Sequence, residues 1–171
     1  MVISNYHINM KHTSLTKNKQ QMTKWSIASI SLLLYATSCF FPAFTAQTTM
    51  ESEACPGWLC LIVGWIGCLW CFACPWNLVW ISNPLYILAI LYFTSNRHNK
   101  YLFYASATCI LAILVGFSFV FCHSLMLFGN NNSHIWTRCL GYYLWVSSFL
   151  VLFIGIIIYT IIYGRNKDYK K

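Results

Sequence analysis

Acidic side chains are nearly missing: the 171 residues contain only Glu51, Glu53 and Asp168. Paired carboxylates for general acid–base hydrolysis are therefore absent. A phosphate-binding P-loop and a Ser/His/Asp order are absent too, which removes the common nucleotide enzymes and hydrolases. Charge of either sign is scarce, at 8% of residues, against about a quarter in an average soluble domain. The chain is 58% hydrophobic with mean hydropathy +0.58. That leaves too little polar surface to coat a soluble fold. The same composition excludes a disordered chain, a collagen-like chain and a secreted disulfide-rich module. An integral membrane protein is what remains.

The few cations are placed systematically. Lys11, Lys17, Lys19 and Lys24 precede the first apolar run; Arg97 and Lys100 sit in a short break; Arg165, Lys167, Lys170 and Lys171 end the chain. Only Arg138 stands elsewhere. Short basic clusters flanking apolar segments follow the positive-inside rule. A nucleic-acid groove would instead interleave cations with exposed aromatics on one face. The net charge of +8 is thus read as attraction to a lipid bilayer with an anionic leaflet, with no nucleic-acid partner.

Segments 25–50, 54–96, 101–137 and 139–164 carry no Asp, Glu, Lys or Arg. About 20 helical residues cross a hydrocarbon core. Spans are expected at about 25–46, 77–94, 101–127 and 139–163. The stretch 57–94 is too long for one crossing, so its halves either both span or only one does. Four crossings put the N-terminus, the 95–100 break and the C-terminus on one side, with ten of the eleven Lys and Arg; five would split them. We therefore expect an all-α, polytopic transmembrane bundle with four crossings, N-in and C-in, and an interfacial or re-entrant outer helix over 57–74. Pro75 and Asn83-Pro84 mark breaks before the second span.

Residues 1–23 form a polar cytoplasmic tail in this reading, and Met22 is an alternative start; 24–164 is the bundle and 165–171 a basic cytoplasmic tail. Ala36-Thr37-Ser38-Cys39 faintly matches a lipoprotein box, but Leu is missing three places before Cys39 and bulky apolar residues follow. An uncleaved first helix is expected.

In segment 57–74, Gly57, Cys60, Gly64, Gly67, Cys71 and Cys74 recur at helical spacing. Small residues on one stripe let backbones approach, so these are the helix-packing candidates. Ala105, Cys109, Ala112 and Gly116 make a similar stripe, and Gly141, Ser148 and Gly155 a weaker one. Trp25, Trp58, Trp136 and Trp145 are expected to anchor the interfaces.

Nine cysteines are many for this length. Cys68, Cys71 and Cys74 have a Cys-x-x-Cys rhythm but lie among Trp, Leu and Phe, so they read as small apolar packing residues rather than ligands of an iron–sulfur cluster. No metal site and no cofactor are expected from the spacing of His and Cys. Gly67-Cys68-Leu69-Trp70…Cys74 is similar to the outer-loop signature of claudins, but the interval from Trp70 to Cys74 is one residue longer and the segment is too apolar for an outer sheet.

Cys55 and Cys60 fall in the first outer gap, and Cys122 and Cys139 bracket the second. Four spans with a cysteine pair in each outer loop are similar to the quinone-linked thiol oxidases of the DsbB type. That resemblance implies that Cys55–Cys60 passes electrons to a quinone and Cys122–Cys139 exchanges with a substrate thiol protein. The spacing here is Cys-x4-Cys where that family has Cys-x-x-Cys. Structural disulfides or small packing residues are the other reading of the same four.

Gly57-Trp58-Leu59-Cys60-Leu61, Gly64-Trp65, Trp80-Ile81-Ser82-Asn83-Pro84-Leu85 and Gly141-Tyr142-Tyr143-Leu144-Trp145 together resemble a small uncharacterised group of bacterial inner-membrane proteins over residues 25–160. The resemblance implies topology and no activity. The expected function is accessory or structural, through helix packing with itself as a homo-oligomer or with a membrane-protein partner. The alternatives are the thiol oxidoreductase and a lipid or quinone binder using the Trp-rich 57–80 region.

Overall fold

The computed structural model describes residues 2–47, 52–62, 75–95, 99–121 and 134–164, with side chains described over 17–45, 54–62, 78–95, 100–121 and 137–163. The chain is mostly helical. Helix α1 runs Val2–Ser38 and is followed by strands β1 (Pro42–Gln47) and β2 (Ser52–Pro56). A short helix covers 57–62. A 3₁₀ segment, Pro75–Ile81, leads directly into α2 (Ser82–Thr94). Helix α3 (Asn99–Ser118) tightens into a 3₁₀ turn at Phe119–Phe121; strand β3 (His134–Arg138) and helix α4 (Leu140–Gly164) complete the order.

Two expectations are corrected. The fold is not all-α, because the segments flanking the first and last helices make a three-stranded antiparallel sheet in the order β2-β1-β3. The first apolar run is not helical to residue 46. The N–H groups of Cys39, Phe40 and Phe41 bond back three residues, and Pro42 cannot continue the helix, so α1 stops at Ser38. In the third segment the α-helix runs to Ser118 and a 3₁₀ turn to Phe121, and residues 122–127 of the expected span lie outside the described residues. The polar segment expected as a tail is helical from Val2. Of the expected outer helix, 57–62 is helical, while Gly64, Gly67, Cys71 and Cys74 lie outside the described residues. At the start of α2, Pro84 occupies the first turn, where backbone N–H groups have no partner within the helix, so the ring breaks nothing there.

The four long helices pack with alternating direction. At one end, Lys24 Nζ donates to the Ser95 carbonyl at 3.0 Å, Gln21 Nε2 to the Thr94 carbonyl at 3.3 Å, and the Thr23 and Tyr163 hydroxyls lie 3.4 Å apart. Lys24 thereby closes the carbonyl end of α2, where a cation is favoured. The sheet covers the opposite end. It is sewn to the bundle by the backbone bonds Gly57 N–H to Phe41 O, Trp58 N–H to Cys39 O and Cys139 N–H to Ala43 O.

Polarity is inverted relative to a soluble bundle. Ser31, Ser82, Asn83 and Ser148 are buried, while Leu33, Leu91, Phe103, Leu114, Ile154 and Ile161 are exposed. The Ser31 hydroxyl donates to the Ser148 carbonyl at 2.7 Å and so must accept from the Tyr86 hydroxyl at 2.6 Å, having one proton. Around this point Tyr86, Ala89, Phe93, Cys109, Phe149 and Leu152 form the larger core. Lys100–Phe121 (22 residues) and Leu140–Tyr163 (24 residues) are long and apolar enough to cross a membrane; Leu78–Thr94 is a shorter apolar helix.

Small residues sit where helices approach. Ala105, Cys109, Ala112 and Gly116 of α3 are buried. A Cβ at Gly141 would lie 2.7 Å from the carbonyl oxygens of both Phe41 and Pro42, and one at Gly155 would overlap Ile27 Cγ2. Backbone cannot yield as a side-chain tip can. Gly141→Ala is therefore expected to lower stability by about 1–3 kcal/mol, with no single side-chain rescue. Gly155→Ala should be largely restored by Ile27→Ala. Thermal unfolding of the three variants in detergent checks this.

Candidate functional site

The end of α1, β1, the 57–62 helix and the facing ends of the other three helices enclose a small chamber. Its walls include Cys39, Cys60, Trp80, Asn83, Tyr142 and Trp145. The cavity measures about 40 Å³, space for a few waters at about 10–15 Å³ each. Aromatic rings make most of the wall: Trp80 stands 6.5 Å from both Trp145 and Phe119, and Phe119 5.3 Å from Tyr142. Phe44 reaches in from the centre strand, with its ring 5.6 Å from Phe119. Beneath it, Phe44, Cys55, Cys60, Val79, Trp80, Phe119 and Tyr142 form a second core.

Asn83 supplies the polar centre. Trp145 Nε1 donates to Asn83 Oδ1 at 2.9 Å and Tyr35 Oη donates to the same oxygen at 3.0 Å. An indole N–H can only donate, which fixes the carboxamide with its oxygen toward Trp145. Its amide N–H groups are then available on the chamber side. Tyr35 is itself stacked on Tyr86 at 5.1 Å, so the site is tied to the Ser31–Tyr86 pair in the middle of the bundle.

The thiols lie at one margin. Cys55 Sγ and Cys60 Sγ are 3.5 Å apart and both are buried. The hydrogen bond with Cys60 holds the Cys55 thiol below its ordinary range. Cys60, sharing that bond and buried, is pushed upward. Cys39 Sγ donates to the Tyr35 carbonyl at 3.6 Å. Cys139 is not brought to this pair. Phe44 of the central strand pairs with Cys55 on one side and with Arg138 on the other, so Cys139 stands beyond β1, about 10 Å away at neighbouring-strand spacings of about 4.8 Å. Cys122 lies outside the described residues.

Arg138 binds behind one wall of the chamber, at Phe119. Its Nη2 donates to the carbonyls of Phe119 and Val120, and its guanidinium lies 6.0 Å from the Phe119 ring. It caps the end of α3 as Lys24 caps α2. Among the described residues no group of three or more His, Cys, Asp or Glu converges to hold a metal ion.

Trp25 and Trp58 are exposed, at 54% and 53%. Trp145 turns into the bundle, where its N–H finds Asn83 and its ring packs 5.0 Å from Phe149. Trp136 lies on β3, with its side chain outside the described residues. Gly57 abuts α1, where a Cβ would meet the Ser38 carbonyl oxygen at 2.5 Å. Sequence reasoning missed Asn83, Tyr35 and Arg138 as site residues. Arg138 carried a signal, as the one cation outside the basic clusters. Tyr35 carried none, since one more tyrosine in an apolar helix is unremarkable.

No protein-family model matches this chain, and neither a curated protein nor a solved structure matches it.

Replacing Asn83 with Ala would leave the Tyr35 hydroxyl and the Trp145 N–H without their acceptor. The expected loss is about 1–3 kcal/mol, and Tyr35→Phe, which keeps the Trp145 bond, should lose less. Chemical unfolding followed by tryptophan emission measures both.

Proposed function

We propose that the chain is a four-crossing protein of a bacterial inner membrane, with both termini in the cytoplasm, acting as an accessory subunit that packs against itself or a larger membrane protein. The observation that carries this reading is the inverted polarity of the bundle. Its hydrogen-bonding groups pair with one another inside, and its large aliphatic side chains face out, as lipid or a partner helix requires. The distribution of charge supports the orientation. Lys24 and Lys100 lie at the end away from the sheet, with tyrosines Tyr92, Tyr101 and Tyr104 clustered beside Lys100.

The length of the first helix fits a crossing once its turn is included. From Lys24 to Ser38 the helix rises only about 22 Å, short of a hydrocarbon core of about 30 Å. Phe40 and Phe41, both exposed, carry the apolar surface on past the helix end. Local thinning of the bilayer would meet the rest. The likeness to a small group of bacterial inner-membrane proteins points the same way.

A reporter enzyme that folds only outside the cytoplasm tests the topology. Fused after Ser95 or after Gly164 it should be inactive, and after Phe121 active. Activity after Gly164 would mean an odd number of crossings and overturn the orientation.

A second reading is binding of a lipid or quinone of which only a carbonyl oxygen enters the chamber, toward Asn83, while its apolar body stays on the exposed aliphatic surface outside, because the cavity has room for only a few waters. Mass spectrometry of a solvent extract of the purified protein should then find such a molecule, depleted in Trp80→Ala and Trp145→Ala. An extract without one removes this reading and leaves the first untouched.

A further inference from the structure

Five cysteines are described, and only two of them touch. Cys109 donates to the Phe149 carbonyl deep between α3 and α4, Cys39 is held on the Tyr35 carbonyl, and Cys139 lies across the central strand. Cys55 and Cys60 face each other at 3.5 Å, about 1.5 Å from the bonded distance of roughly 2.05 Å. The two elements that carry them are independently fixed. Cys55 is held in register on β2 opposite Phe44, and the turn into the 57–62 helix is pinned by the bonds from Gly57 and Trp58 to the end of α1. The pair is therefore a set distance apart rather than a chance encounter of loose loops.

Access differs between the two. β2 is an edge strand in the order β2-β1-β3, and Ala54 beside Cys55 is exposed. Cys60 is turned into the chamber wall. Both sulfurs are buried, but Cys55 belongs to the edge strand and is met first when that edge opens, with Cys60 behind it in the chamber wall. With residues 55 to 60 spanned by the bond, its closure would join the sheet edge directly to the chamber wall.

We propose that Cys55 and Cys60 form a reversible intramolecular disulfide by exchange with a low-molecular-weight disulfide, Cys55 being the attacking sulfur and Cys60 the resolving one. In the first step the Cys55 thiolate, its proton released to water, attacks one sulfur of RSSR. A Cys55–SR mixed disulfide forms and RS⁻ leaves. The Cys60 thiol gives its proton to that RS⁻ and its sulfur attacks Cys55 Sγ, forming the Cys55–Cys60 bond and expelling the second RS⁻, which is protonated by water. Two cysteine thiols are oxidised and one RSSR is reduced to two RSH. The placement of the pair favours this order, since Cys55 stands on the edge strand with Cys60 behind it in the chamber wall, and the contact between the two sulfurs lowers the Cys55 thiol.

The test uses the full chain in lipid nanodiscs, equilibrated across ratios of oxidised to reduced glutathione, quenched in acid, alkylated and mapped by peptide mass. Cys55 and Cys60 should lose alkylation together, by about tenfold between the reducing and oxidising ends, with a linked peptide two hydrogens lighter. Cys39 and Cys109 should change little. Cys60→Ser should trap glutathione on Cys55, and Cys55→Ser should carry about tenfold less on Cys60. Independent alkylation of the two at every ratio, linkage to a different cysteine, or a bond that no reducing ratio opens would each overturn the proposal. The wild-type map decides those three without a variant. Equal trapping on either single variant would overturn the assigned order of attack.

Discussion

One carboxamide oxygen joins three helices at the sheet-covered end of the bundle. Asn83 of α2 accepts from Tyr35 of α1 and from Trp145 of α4, and Ser31 Oγ joins the same three helices again at mid-bundle. A buried amide without such partners would cost several kcal/mol in an apolar interior. The bonds are therefore a condition for burying Asn83 at all, and they set the rotation of α1 and α4 about their own axes. Tyr35 in turn stacks on Tyr86, whose hydroxyl is bound to Ser31, so the polar interior is continuous from the chamber to mid-bundle. The aromatic chamber exists because these groups hold Trp145 and Tyr35 inward.

The two ends of the bundle are closed by different means. At the basic end Lys24 and Gln21 reach the last carbonyls of α2 and of the residue after it. At the other end Arg138 takes the carbonyls that end α3, and three short strands roof the core. The roof is where chemistry can occur. It brings a sulfur pair, an amide and a ring of aromatics within one small volume, while the rest of the bundle offers lipid-facing aliphatic surface. An accessory membrane protein with a thiol pair under a sheet is a coherent object on these grounds. Packing against a partner and exchange at the sulfurs use different faces.

Much of the helical plan is legible in the sequence. The last span was expected at 139–163 and is helical over Leu140–Gly164, because a long uncharged run has no competing local structure. The Asn83-Pro84 break and the start of α2 coincide, since proline belongs in a first turn. The site was less legible. Cys55 and Cys60 stood out by position, but nothing in Cys-x4-Cys says that the sulfurs meet. Trp145 read as an interface anchor because tryptophan near a helix end usually is one, and nothing in the sequence says that its N–H meets Asn83. The sheet was hidden because Phe40–Phe44 looks like the continuation of an apolar helix.

The sequence by itself determined the strongly apolar, mostly helical character of the chain and its approximate helices, because composition and hydropathy act locally, residue by residue against solvent. The tertiary structure alone decided the sheet, the inward Trp145, the capping by Arg138 and the contact of Cys55 with Cys60. Each of these depends on partners far apart in the chain. A strand of five or six residues gains its stability from pairing, and Phe44 has Cys55 on one flank and Arg138 on the other only after the bundle has brought its ends together.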